Sequence, residues 1–254
     1  MAAGSLSDQE TVSRLEGQVA LTPTFLLYMA SSGVLACVAL LSNSVPILIG
    51  SMILAPLMPA LALVPFALAE RRRDLAVRGL TVASAGLALA FVVAWLTAAL
   101  MGAAGVLVSD AVLENPLLQE RVHPGWWSMA AAVAAGLAGT VAQANEKTDA
   151  LIGTVAALAL VPAVGATALS VYAGELNTAL GGLLLLGLNV GLIIAMGVAG
   201  ILVSAGRAGW RPLAMLPVVT TLVLAVLLTW AQAEGTVPEQ PAHASGPGTI
   251  TATW

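Results

Sequence analysis

Asn43-Ser44-Val45-Pro46-Ile47-Leu48-Ile49-Gly50-Ser51-Met52-Ile53-Leu54-Ala55-Pro56-Leu57-Met58-Pro59 is the stretch on which the fold turns. Its apolar character continues to Ala69 without one ionisable side chain, long enough for a helix to cross about 30 Å of hydrocarbon. Pro46, Pro56, Pro59 and Pro65 interrupt it, and each proline removes an N–H and displaces a carbonyl from the helical ladder. In lipid the freed groups must meet protein, water or a ligand. The stretch therefore predicts a broken membrane span, with Gly50, Ser51, Pro56 and Pro59 offering polar backbone or side-chain groups where it is interrupted. The plainer alternative is a span that is only kinked, because Gly and Pro are common in membrane helices.

The rest of the chain agrees with a lipid solvent. Hydrophobic residues make up 59% and charged ones 9%, with a mean hydropathy of +0.96, whereas soluble domains carry about 25% charged residues. Seven segments have the length and composition of spans: 24–42, 46–69, 79–108, 126–143, 150–173, 178–205 and 212–232. The expected fold is an all-α polytopic membrane protein of about seven transmembrane helices. Ahead of them, Ser7-Asp8-Gln9-Glu10 has capping-box spacing, and Val12, Leu15 and Val19 share one face, so residues 7–20 read as a short interfacial helix within a cytoplasmic segment 1–23. Asp8, Glu10 and Glu16 make that segment unlike a cleaved signal peptide. Residues 234–254, with Pro238, Pro241, Gly246, Pro247 and Gly248, have the composition of a disordered external tail.

Basic residues orient the spans, since Lys and Arg near span ends stay on the cytoplasmic side. With the N-terminus inside a cell (inner) membrane, Arg14, Arg71, Arg72, Arg73, Arg78, Lys147, Arg207 and Arg211 are cytoplasmic, and Arg121 alone is external. Trp126, Trp127, Tyr172 and Trp230 then fall at the outer interface and Trp210 at the inner one.

An offset of 103 residues lays Leu48-Ile49-Gly50-Ser51 over Leu151-Ile152-Gly153-Thr154, and Leu57, Pro59 and Ala60 over Leu160, Pro162 and Ala163. Spans one to three (24–108) thus match spans four to six (126–205), and a three-span repeat must place its second copy upside down, an architecture that puts a solute site between the copies. Span seven (212–232) is an addition. The pairing predicts that span five is broken like span two, and adds Gly153, Thr154 and Pro162 to the candidate site. Asn189, near the centre of span six, is a candidate pore-lining group or, between Gly187 and Gly191, a helix-packing one. Glu146, Lys147 and Asp149 either gate the inner end of a pathway or form a solvated turn.

Catalysis is not expected. His123 and His243 fall outside the spans, Cys37 lies alone in an apolar run, and phosphate loops, dinucleotide fingerprints and metal-ligand spacings are absent, so neither a metal nor another cofactor is implied. Nine basic against thirteen acidic residues give no footprint for nucleic acid. The expected partners are the bilayer, a small solute and a second copy of the chain. The expected function is a transporter or channel for a small neutral or anionic solute, because no carboxylate falls at the midplane to neutralise a cation. A non-transporting sensor or assembly module, with Gly and Pro serving tight packing, is the alternative.

The quoted stretch resembles the signature of the hydrophobic membrane family called domain of unknown function 389. Asp149 through Gly153 to Ala159-Leu160-Val161-Pro162, and Leu188-Asn189-Val190, are similar to further elements of it, so the resemblance runs from about Phe25 to Val203. It implies membrane location and fold. Ala163 stands where the family typically has a second proline after Pro162.

Single cysteines introduced at positions 71 to 73 should be protected from an impermeant external reagent, and one at Gln240 should react. The opposite pattern inverts the topology.

Overall fold

The computed structural model describes residues 9–105, 115–122 and 149–204. Spans 126–143 and 212–232, the tail 234–254, and Glu146 and Lys147 lie outside the described residues. Those described form only helices: α1 (Gln9–Gln18), α2 (Pro23–Leu41), α3 (Val45–Leu54), α4 (Met58–Ala69), α5 (Arg73–Ala103), α6 (Pro116–Val122), α7 (Asp149–Tyr172) and α8 (Leu176–Ser204). By length and apolar composition α2, α5 and α8 can each cross a membrane, and α3 with α4 form a fourth such unit bent by 51°. The molecule is a membrane protein of apolar helices.

Most boundaries follow local chemistry. Thr22 caps α2, its Oγ1 accepting from the Phe25 N–H at 3.1 Å, and Pro23 takes the first helical position, where its missing N–H costs nothing. The third span starts earlier than hydropathy predicts, at Arg73, because Asp74 in its first turn complements the helix dipole. Arg73 and Arg78 thus belong to α5 itself rather than to the preceding loop.

Span five departs from expectation more sharply. It is one helix, α7, running through Pro162 without interruption. A single proline withdraws one donor and can be absorbed as a kink, whereas span two has Pro56 and Pro59 three residues apart. Pro46 sits in the first turn of α3, and Pro65 lies inside α4, so neither breaks a helix. Only Ala55–Leu57 does.

At the centre of the described bundle is α4, which packs on α1, α5, α7 and α8. Met58, Leu61, Leu63 and Phe66 are among its fully buried side chains, as expected of a helix apolar on every face. The long helix α5 carries a stripe of small residues, Ala76, Gly79, Ala83, Gly86, Ala90, Ala94 and Ala98, all buried, which meets α4 at Gly79 and α2 at Gly86 and Ala90. Small residues let helix backbones approach closely where lipid supplies no hydrophobic drive for association. Outward, Val45, Ile49 and Ile53 of α3 and Leu96 and Leu100 of α5 are exposed, a surface suited to acyl chains.

A Cβ built on Gly79 would stand 2.6 Å from the Ala60 carbonyl oxygen. Gly79→Ala should therefore force α4 and α5 apart, lowering stability by about 1–3 kcal/mol, read as thermal unfolding in detergent. Gly50→Ala, with nothing within 4 Å of the new Cβ among the described residues, should show no such loss. Equal effects would mean that the α4–α5 contact is not set by Gly79.

Candidate functional site

Backbone chemistry builds the break in span two. The residue before a proline is pushed out of the helical region, and Ala55, preceding Pro56, has ψ 112°. Leu57 returns to helical angles as the N-cap of α4, with no side chain accepting from the first turn. The N–H of Leu57 donates to the Ala55 carbonyl at 3.0 Å. On the other side of the break, the carbonyls of the last α3 turn need donors. Ser32, at the middle of α2 and fully buried, donates its hydroxyl to the Ser51 carbonyl at 2.8 Å.

Ser51 itself is also fully buried, and its hydroxyl turns back to the Leu48 carbonyl of its own helix at 2.6 Å. It is a helix-bound group rather than a solute-facing one. Gly50 is half-buried one position earlier. Deeper in the bundle the same back-bonding recurs: Thr167 donates to the Ala163 carbonyl at 2.7 Å and Ser170 to that of Ala166 at 2.9 Å.

Pro56 and Pro59 do border a cavity. It holds about 190 Å³ and is walled by Gln18 at the end of α1 and Val19 after it, by Thr22, Thr24, Phe25 and Tyr28 at the start of α2, by Pro56, Pro59 and Ala60, and by Val82 of α5. No carboxylate, ammonium or guanidinium lines it. Two helix N-termini converge there, that of α2 beside Thr24 and that of α4 beside Ala60, and free N–H groups at such ends favour hydrogen-bond acceptors and negative charge.

The other expected residues lie elsewhere. Pro162 is buried within α7 and Asn189 is buried on α8, and neither lines the cavity. Gly153, Thr154 and Asp149 lie in the first turns of α7, and α3 and α4 both pack against that helix. No described atom comes within 4 Å of a Cβ built on Gly187. Reading from sequence missed the α2 wall and Ser32. Thr22-Pro23-Thr24 carried the cap signal, and Ser31-Ser32-Gly33 was a polar, small interruption at the centre of span one.

The model of the family described as domain of unknown function (DUF389) matches residues 52–195, more than half of the chain, and covers the break, α4, α5 and most of α8. The chain belongs to this family. It is also similar to an uncharacterized protein of Methanocaldococcus jannaschii, 24% identical over 165 residues, which are 65% of this chain and 49% of the relative. The chain thus spans about half the length of the curated relative it matches. No solved structure matches it.

Ser32→Ala should lower thermal stability in detergent by about 0.6–1.7 kcal/mol, the range for hydrogen bonds between membrane helices, because it strips a donor from the Ser51 carbonyl. Ser51→Ala removes only a bond within one helix and should cost less. The reverse order would show that the Ser51 hydroxyl has a partner beyond Leu48.

Proposed function

We propose that the chain carries a small neutral or anionic solute across the membrane, as a transporter or channel, with the break in span two as its binding region. The carrying observation is that Pro56 and Pro59 interrupt a span whose second half is a largely buried helix, and border a cavity of about 190 Å³. A cavity of hydroxyl, amide and helix N-terminal character with no fixed charge suits an acceptor-rich solute and offers nothing to a cation.

Our reading places this site in the first copy of an inverted three-span repeat, completed by spans outside the described residues. Several correspondences at the 103-residue offset support it. Helix α4 ends at Ala69 and α7 at Tyr172; the left-handed turn residues are Arg71 (φ 59°) and Gly174 (φ 80°); α5 begins at Arg73 and α8 at Leu176. A Cβ on Gly79 would also crowd Val64, while one on Gly182 would crowd Thr167, the same offset at both ends of the contact. Helix ends, turn residues and packing partners that keep one register support a repeat over a coincidence of composition. The N-terminus inside, the C-terminus outside, and association of copies through the exposed apolar faces complete the proposal.

One observation favours the non-transporting module instead. Beyond the cavity the buried hydroxyls of Ser51, Thr167 and Ser170 are satisfied by their own helices, which is how a dry, static interior is built.

Proteoliposomes decide between the two. Over a panel of polyols, amides, monocarboxylates and inorganic anions, at least one solute should cross about tenfold faster than in protein-free vesicles, and Thr24→Trp, which fills the cavity from its rim, should abolish the gain. No flux for any solute through folded protein would leave the module reading.

A further inference from the structure

Helix α1 ends at the wall of the cavity that the break creates. Val12, Leu15 and Val19 are all but fully buried, α1 packs on α4, and Gln18 and Val19 form one wall of the cavity. Only residues 19–22 join it to α2, which starts rigidly at Pro23. A short amphipathic helix on a brief tether, ending at the wall of a cavity, has the geometry of a cover.

Whether such a cover can lift depends on what holds it. In water the three apolar side chains would hold α1 firmly. At a bilayer surface the balance differs, because acyl chains receive Val12, Leu15 and Val19 about as readily as α4 does, and an amphipathic helix is at home in the interface. The apolar contacts then nearly cancel between the closed and lifted positions. The balance then falls to the polar contacts of α1, in which Ser13, Arg14 and Glu16 all take part. Glu16, in the last turn of α1, places its carboxylate between two guanidinium groups, 3.7 Å from Arg72 Nη1 and 3.9 Å from Arg78 Nη1. Arg72 is shared with Asp74, whose carboxylate lies 3.3 Å from Nη2. Both Glu16 contacts exceed hydrogen-bond length, and the three side chains are 36%, 47% and 43% exposed, so solvent and salt screen the attraction.

We propose that α1 is a lid on the broken-span cavity, clasped shut by Glu16 to Arg72 and Arg78, and that ionic strength sets how often it opens. The lid controls access to the cavity of the transport reading, yet its motion is readable without any solute, so failure of flux and failure of the lid are separate results.

Val82 is 6% exposed in the cavity wall, and cysteine is smaller than valine, so Val82→Cys reports access there. In a Cys37→Ala background, the variant is placed in zwitterionic vesicles and its labelling by a small uncharged maleimide is timed in about 0.05 M and about 1 M salt. High salt should speed labelling about three- to tenfold, the range for one or two exposed ion pairs. Glu16→Gln should raise the low-salt rate by a similar factor, and salt should then add nothing. An unchanged rate on raising salt overturns the proposal, as does a salt response that persists in Glu16→Gln. Should that variant not fold, Arg78→Gln opens the same clasp from the other side and is read in the same way.

Discussion

Hydrogen bonds that the backbone of Ala55–Leu57 cannot make within its own helix are the constraint around which the described structure is arranged. In an apolar medium each unsatisfied backbone group is costly, and Pro56 and Pro59 deny the span two of its donors at its midpoint. The bundle answers on both sides of the gap. On the α3 side, the Ser32 hydroxyl reaches from α2 to the Ser51 carbonyl. On the α4 side, Pro59 and Ala60 of the first turn border a cavity that carries hydroxyls and an amide. The two ends of the break are thus treated differently: one is tied into the protein and the other is left toward open volume.

Central placement of α4 follows from the same constraint. A half-helix of twelve residues, apolar on all faces, has too little length to span lipid and must be surrounded by protein. Helix α5 can cover it only by coming close, and Gly79 removes the side chain that would stand against the Ala60 carbonyl. Farther along the same stripe, a would-be Cβ on Gly33 of α2 meets the Ala90 carbonyl, so α5 is held against α4 and α2 through one row of small residues. Small residues on α5 and the break beside α4 are therefore one solution: the approach that packs the half-helix also fixes where its open end lies.

Much of this was legible in the sequence because membrane spans are written in composition. The runs 24–42, 46–69, 150–173 and 178–205 match helices bounded by Pro23 and Leu41, Val45 and Ala69, Asp149 and Tyr172, and Leu176 and Ser204 to within two residues. Val12, Leu15 and Val19 declared the buried face of α1 by spacing alone. Less legible was the identity of the polar groups at the site. Ser51 stood out as a hydroxyl in an apolar run, but a serine in a helix can always bond the carbonyl a turn behind it, and here it does. The residue that matters to the break, Ser32, lies nineteen positions away, and only the packing of α2 on α3 joins them. The wall from Thr22 to Tyr28 was hidden likewise, since its part in the cavity depends on where the bend of 51° turns α4.

The inequality of the two proline spans bears on how any solute could pass. On the repeat reading, Pro59 has a counterpart in Pro162, but Pro56 corresponds to Ala159 and Pro65 to Ala168. The break is made by the residue ahead of Pro56, which has no equivalent constraint in α7, so the second copy keeps its ladder and buries Pro162. This asymmetry is covalent. The two copies cannot exchange a broken and an unbroken state by rearrangement alone, because only one of them has the residue that forces Ala55 out of the helix. Among the described residues, the interruption of helical backbone within a span is the one at Ala55–Leu57, and α7 offers no counterpart to it. On the transport proposal, the chemistry that a solute meets among the described residues is accordingly one-sided, fixed by the covalent constraint at Pro56.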